Sequence, residues 1–176
     1  PQNLATFEKL VDEADALFGA RPFDHYDILL AMTDRMGGIG LEHHRSSENQ
    51  YEPTALIDWD KMDWDRNVVA HELVHSWNGK FRRPEGLWTP DYRTPMQDTL
   101  LWVYEGQTQF WGWVLAARSG LQKKETVLGM FANAVANYSE GQPGRAWRSV
   151  QDTTYDPIVN SRRPLPFSSL QRSEDY

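Results

Sequence analysis

The segment Val68-Val69-Ala70-His71-Glu72-Leu73-Val74-His75-Ser76-Trp77 constrains this chain more than any other. It carries H-E-x-x-H inside a stretch of helical periodicity. Residues 71 and 75 are four apart, so at about 100° per residue the two imidazoles share one face, separated by roughly 6 Å of rise. Such a pair can chelate one metal ion and leaves Glu72 beside it as a base. The plain alternative is a surface helix with two unrelated histidines. The flanks speak against it, because Val69, Leu73 and Trp77 fit a buried stripe whereas a solvated helix would be polar all round. Titratable groups carried inward are costly unless they have a partner or a task.

The rest of the composition narrows what that task can be. A chain of 176 residues can form one domain with its own core, divisible into two lobes. The net charge of −7 leaves no basic stripe to neutralise phosphates, which argues against a nucleic-acid partner. With no cysteine there is no disulfide, thiolate zinc site or cysteine nucleophile, so a metal must be held by His and carboxylate. The redox compartment stays open, between cytoplasm and periplasm. No run of about 18 apolar residues occurs, so no membrane insertion is expected. The chain starts at Pro1 without an initiator Met and stops at Glu174-Asp175-Tyr176, which reads as a piece of a longer protein.

Along the chain, Asn3 is a plausible N-cap for a helix running to about Phe18 and stopped by Gly19. His25 to Thr33 reads as a strand, and Ala55 to Trp59 as a second short one. Between them Met36-Gly37-Gly38-Ile39-Gly40-Leu41-Glu42-His43 suits an exposed edge strand, since its glycines permit close backbone approach. An edge beside a metal site offers free N–H and C=O groups to an extended peptide, here from Gly40 and Leu41. A Gly-rich hairpin loop with Glu42 and His43 at the surface is the other reading. Trp64 or Asp65 opens the motif helix and Asn78-Gly79 closes it. Residues 80–97, with three prolines, form a long loop of the kind that is often functional. Asp98 caps a helix from Thr99 to about Ser119. A further helix runs from Lys123 to about Tyr138, with Val127, Leu128, Met130, Phe131, Ala134 and Val135 turned inward. The tail from Asp152 to Ser169 reads as a draped loop.

Two histidines leave a catalytic zinc short of a third protein ligand. Glu105, a lone carboxylate in Trp102-Val103-Tyr104-Glu105-Gly106-Gln107-Thr108-Gln109-Phe110, fits best, because a Glu buried among aromatics would be costly without a cation. In such a site zinc acidifies a water and polarises the scissile carbonyl. Glu72 accepts the proton and passes it to the leaving amine. The oxyanion needs a further donor, for which Tyr155 and Tyr176 are candidates. Thr108 and Gln109 could orient ligands from behind, although packing alone also explains them.

The run His71-Glu72-Leu73-Val74-His75-Ser76-Trp77-Asn78-Gly79-Lys80-Phe81-Arg82-Arg83-Pro84 resembles the signature of the glycyl aminopeptidase family, gluzincin zinc peptidases that often carry a PDZ domain. Leu101 to Thr108 resembles that family's third-ligand segment, and Gly40-Leu41-Glu42-His43 its Gly-Leu-Glu-His segment. The resemblance implies an α+β, thermolysin-like zincin catalytic domain: a small mixed sheet with the substrate edge in residues 1–63, and a mainly helical lobe with the metal site in 64–176. It implies one Zn²⁺ per chain held by His71, His75 and Glu105, with Glu72 as general base. Glu42 would hold the substrate's free α-amine, and a catalytic Tyr would be Tyr176 or lie beyond it. PDZ and N-terminal β domains would belong to the full-length parent. The function implied is an aminopeptidase removing N-terminal residues, Gly or Ala by the family's example, from peptides. A zinc endopeptidase with the same site, and a metal-binding, catalytically weak peptide-binding fragment, are the alternatives.

Overall fold

The protein's structure is a computed structural model that describes residues 3–156 together with Phe167, Leu170 and Arg172. Among these, helix α1 (Leu4–Phe18) is followed by strands β1 (Asp27–Met32), β2 (Gly40–Glu42) and β3 (Ser46–Tyr51). Helices α2 (Asn67–Val74), α3 (Leu101–Ser119), α4 (Lys124–Ser139) and α5 (Val150–Thr153) complete the order. The fold is mixed α/β, and the expected small mixed sheet is present. Its centre is β3, parallel to β1 and antiparallel to β2. The chain divides into two compact units, Pro1–Arg82 with Thr108–Gly129, and Arg83–Gln107 with Met130–Tyr176.

In the first unit, α1 ends where expected: Gly19 adopts φ 69°, the left-handed turn that releases the chain from a helix. Asn3 stands at the N-cap position, but its side chain donates to the Leu56 carbonyl at 3.2 Å instead of capping the helix. Phe7, Leu10 and Ala14 of α1 form one core with Val69, Ala70, Leu73, Val74, Trp77, Leu115 and Leu121. Val69 and Leu73 of α2 are fully buried; Trp77, expected on the same helix, lies in the turn beyond Val74 and is 8% exposed.

The second strand differs from expectation. Ala55 to Trp59 forms turns, and the strand lies earlier, in the polar run Ser46-Ser47-Glu48-Asn49-Gln50-Tyr51. Ser47, Asn49 and Tyr51 alternate into the interior, where Asn49 Nδ2 donates to Ser47 Oγ at 2.9 Å and to the Leu29 carbonyl at 3.3 Å. Polar residues turned inward on alternate positions leave no alternation of hydrophobicity to detect.

The motif helix begins at Asn67, later than its pattern suggests, because the preceding turn is fixed by Arg66. That side chain is 2% exposed, pairs with Asp63, lies 3.8 Å over the Trp59 ring and donates to the Leu121 carbonyl at 2.7 Å. Burial lowers its pKa, opposed chiefly by Asp63. Gln122 joins the same knot, donating to the carbonyls of Asp63 and Trp64 at 2.7 and 2.9 Å. The start of α2 is thereby tied to the turn between α3 and α4.

In the second unit, Asp98 does not cap a helix beginning at Thr99. Asp98 and Leu100 take φ of 52° and 63°, and α3 starts at Leu101. The unusual entry is held by the Gly86 carbonyl, which accepts from the Gln97 and Asp98 amides at 2.9 and 3.1 Å. Gln151 Oε1 adds two contacts, accepting from the Leu100 amide at 3.1 Å and Trp102 Nε1 at 3.2 Å. A short helix over Val150–Thr153 occupies the start of the expected draped tail, capped by Ser149 and Asp152. Residues 157–166 lie outside the described residues. Along α4, Val127 and Met130 are buried, but Leu128 and Val135, expected inside, are 55% and 65% exposed.

Candidate metal centre and substrate edge

Helix α2 brings His71 and His75 together as their spacing dictates. Their Nε2 atoms are 3.1 Å apart. His75 Nδ1 lies 3.1 Å from the Asn78 carbonyl, an acceptor only, so Nδ1 is the donor of that contact and Nε2 is the nitrogen that faces His71. Among the described residues His71, Glu72 and His75 form a cluster able to hold a metal ion, with ligand atoms all within 4.8 Å of one another. Two imidazoles on one tetrahedral zinc, with bonds of about 2.0–2.1 Å, would have their nitrogens roughly 3.3 Å apart. The observed pair needs little adjustment to accept such an ion.

Glu72 is 5% exposed, and its carboxylate is aimed at the sheet. Gly40 fixes that direction: a Cβ there would overlap Glu72 Oε1 and stand 2.8 Å from Val68 Cγ2. A carboxylate thus lies between an imidazole pair and the strand β2. Beneath it, the Tyr26 hydroxyl donates to the Glu72 carbonyl at 3.3 Å. Burial pushes the Tyr26 pKa up to about 12, with the charges of Glu72 and Glu42 acting in the same direction, so the phenol stays protonated and remains a donor.

Among the described residues β2 is an edge of the sheet. Its register decides which main-chain groups face β3. The His43 amide donates to Ser46 and the Gln50 amide to Ile39, at 2.9 and 2.8 Å, so odd-numbered β2 residues exchange hydrogen bonds with β3. Alternation in an antiparallel ladder then turns the N–H and C=O of Gly40 and Glu42 outward and those of Leu41 toward Glu48. Leu41, expected to share the substrate contact with Gly40, therefore has its main chain committed to the sheet. A cavity of about 480 Å³ opens beside the Gly37–Ile39 approach to this strand, lined also by Gln50, Tyr51, Met62 and Val68.

Glu42 is not the surface residue of the loop reading. Its side chain is 19% exposed and accepts from Lys80 Nζ at 3.3 Å; Lys80 is 15% exposed. His43 is exposed and faces Glu48 at 3.4 Å. Glu105 lies in α3 and is half-buried, but Trp102 and Phe110 beside it in sequence are 36% and 46% exposed, so a full aromatic wrap is absent. Tyr155 is 41% exposed and its hydroxyl donates to the Gln97 carbonyl at 3.3 Å. Tyr176 lies outside the described residues.

Two supporting residues stand out more in the structure than in the sequence. Thr108 is fully buried, with Oγ1 3.4 Å from His75 Nδ1 and accepting from Asn78 Nδ2 at 3.0 Å. Packing alone therefore does not account for it, whereas Gln109 has no comparable contact among the described interactions. Gly112 was not singled out by any motif. A Cβ at Gly112 would come 3.1 Å from both Cα and N of His71, main-chain atoms that cannot step aside. Its spacing of four from Thr108 was the available signal, since the two share one face of α3.

Among the described residues no helix is long and apolar enough to cross a membrane. Among solved structures, an aminopeptidase N family protein from Idiomarina loihiensis is similar to this chain with a TM-score of 0.75 at 24% identity. The match covers 89% of this chain and 27% of that one, and at this identity it speaks for the fold alone. No curated protein matches. The model of the M61 glycyl aminopeptidase family matches residues 64–176, a span that includes His71, Glu72, His75 and Glu105. This covers well over half of the sequence, and the chain belongs to the M61 glycyl aminopeptidase family.

Proposed function

We propose that this chain is the thermolysin-like catalytic domain of a zinc-dependent aminopeptidase that removes N-terminal residues, Gly or Ala by resemblance to its family, from peptides. The observation that carries the reading is the Glu72 carboxylate, held between the His71–His75 pair and the exposed strand β2. His71 and His75 would hold the ion through Nε2, with Glu105 as the third protein ligand. Glu105 precedes Thr108 by three and Gly112 by seven residues in α3, spacings that put the three residues on one face of that helix. Zinc, when bound, supplies Lewis acidity that polarises the scissile carbonyl and makes water easier to deprotonate.

The protein's own residues do the rest. Gly40 and Glu42 would pair with an extended peptide through their outward main-chain groups, fixing the scissile bond over Glu72. Glu72 would take a proton from the attacking water and deliver it to the departing amine nitrogen. The Glu42 carboxylate would receive the α-ammonium group and so count one residue from the N-terminus. Tyr155, Tyr176 or a tyrosine beyond it would donate to the oxyanion. PDZ and N-terminal β domains would accompany this domain, in residues 1–176, in a longer parent.

Zinc content and hydrolysis of matched free and N-acetylated peptides test the scheme. The intact protein should hold about one zinc per chain and cleave only the free peptide. Glu72→Gln should keep the zinc and lose most hydrolysis, while His71→Ala and Glu105→Ala should lose the metal. Equal cleavage of both peptides would make the enzyme an endopeptidase. An active Glu72→Gln protein would remove the general base, and full zinc in both ligand variants would remove the assigned site.

A further inference from the structure

We infer that Lys80 is a binding-site residue that weakens and thereby tunes the hold of Glu42 on amino termini, for substrate and released product alike. This rests on the proposal that Glu42 receives the α-ammonium. Lys80 follows the turn that closes the motif helix, where its amide donates to the His75 carbonyl at 2.9 Å and Gly79 takes φ 145°. The turn is built by the same residues that seat His75, so Lys80 has a fixed starting point. From there its side chain crosses to β2 and places Nζ 3.3 Å from Glu42 Oε1, with both side chains largely withdrawn from water.

An ammonium group therefore already sits on the carboxylate that a substrate's ammonium must reach. Both need hydrogen-bond distance to the same two oxygens, which puts two positive charges within roughly 4–6 Å of each other, a separation at which like charges disfavour one another's charged form. In a partly desolvated site that repulsion is only weakly screened. The incoming amine must share Glu42 with Lys80 or displace it, and either course subtracts from binding. The subtraction applies equally to the peptide and to the amino acid left after cleavage, because both present the same ammonium to the same carboxylate. A bare Glu42 would hold the product as firmly as the substrate, and uniform binding of that kind lowers KM without raising kcat. Lys80 keeps the amine site from becoming a product trap.

The test compares the intact wild-type protein with Lys80→Met, which keeps the length and apolar stem but removes the charge, and with Lys80→Arg, which keeps the charge. Lys80→Met should lower KM for a free-amine Ala peptide by about tenfold, and should tighten binding of glycinamide, measured by calorimetry without turnover, by a similar factor. Lys80→Arg should stay near wild type in both. Weaker or unchanged glycinamide binding by a Lys80→Met protein that keeps its melting temperature and its zinc would overturn the inference. If Lys80→Met melts early, glycinamide affinity of Lys80→Gln decides in its place. Glu42→Gln separates the two levels: if it leaves glycinamide binding intact, the amine-site proposal itself fails, whereas a loss there with no gain in Lys80→Met removes only the role of Lys80.

Discussion

Replacing Gly40 with alanine is the most direct probe of where the Glu72 carboxylate must be. Gly40 sits in β2 without a positive φ, so an added methyl does not strain the main chain. Its only consequence is steric. The new Cβ would overlap Glu72 Oε1, lie 3.0 Å from Glu72 Cδ and 2.8 Å from Val68 Cγ2. Carbon contacts are comfortable from about 3.5 Å outward. Glu72 must therefore withdraw by about 1 Å or more, or β2 must move off α2. A misplacement of about 1 Å costs on the order of a hundredfold in rate, equivalent to about 2.7 kcal/mol in the barrier. The imidazoles are untouched, so zinc should remain. Crowding of Val68 should cost about 1–3 kcal/mol of stability, which a thermal melt will register. The assay is kcat/KM on a free-amine Ala peptide, with zinc content measured on the same sample. Because Gly40→Ala acts through Glu72, combining it with Glu72→Gln should give no further loss beyond that of Glu72→Gln alone. A Gly40→Ala protein with full zinc and wild-type rate would refute the placement of the base against the edge strand, and losses that multiply in the double variant would show that Gly40 acts by another route.

Thr108→Val keeps the shape behind His75 but removes the hydroxyl, and should weaken zinc binding by about 10–100-fold in a competitive chelator titration; unchanged affinity would mean that the Asn78 carbonyl orients the imidazole unaided. Arg66→Met removes the cation from a pair buried at 2% and 9% side-chain exposure and leaves the Asp63 carboxylate short of its counter-ion. Urea unfolding should show a loss of about 3–5 kcal/mol, and a loss below about 1 kcal/mol would show that the knot at the start of α2 does not depend on the pair.

The uneven legibility of this chain has a chemical cause. His71, Glu72 and His75 could be read directly because chelation admits few residue types and helix geometry admits few spacings, so a short segment carries both conditions. The long helices were legible for a related reason: α1 and the stripe Val69-Leu73-Trp77 bury side chains that differ from their neighbours in hydrophobicity. The central strand lacked that contrast. Ser47 and Asn49 are buried where the Asn49 amide nitrogen reaches both Ser47 Oγ and the Leu29 carbonyl, and a contact of that kind is a property of three dimensions. The entry to α3 was misread at Asp98 for the same reason, since Gly86 and Gln151, both distant in sequence, hold its geometry. Inside the site the division recurs. Residues whose atoms would touch metal or substrate belong to restricted types and announce themselves. Gly40 and Gly112 are required for what they lack, a Cβ where Glu72 and the His71 main chain already stand, and nothing in the letters G-L-E or W-G-W says so. The main chain of Leu41 depends on three dimensions in the same way: a ladder of period two turns alternate residues outward, and the hydrogen bonds of His43 and Gln50 direct the Leu41 N–H and C=O to β3, a parity that the letters G-L-E do not carry.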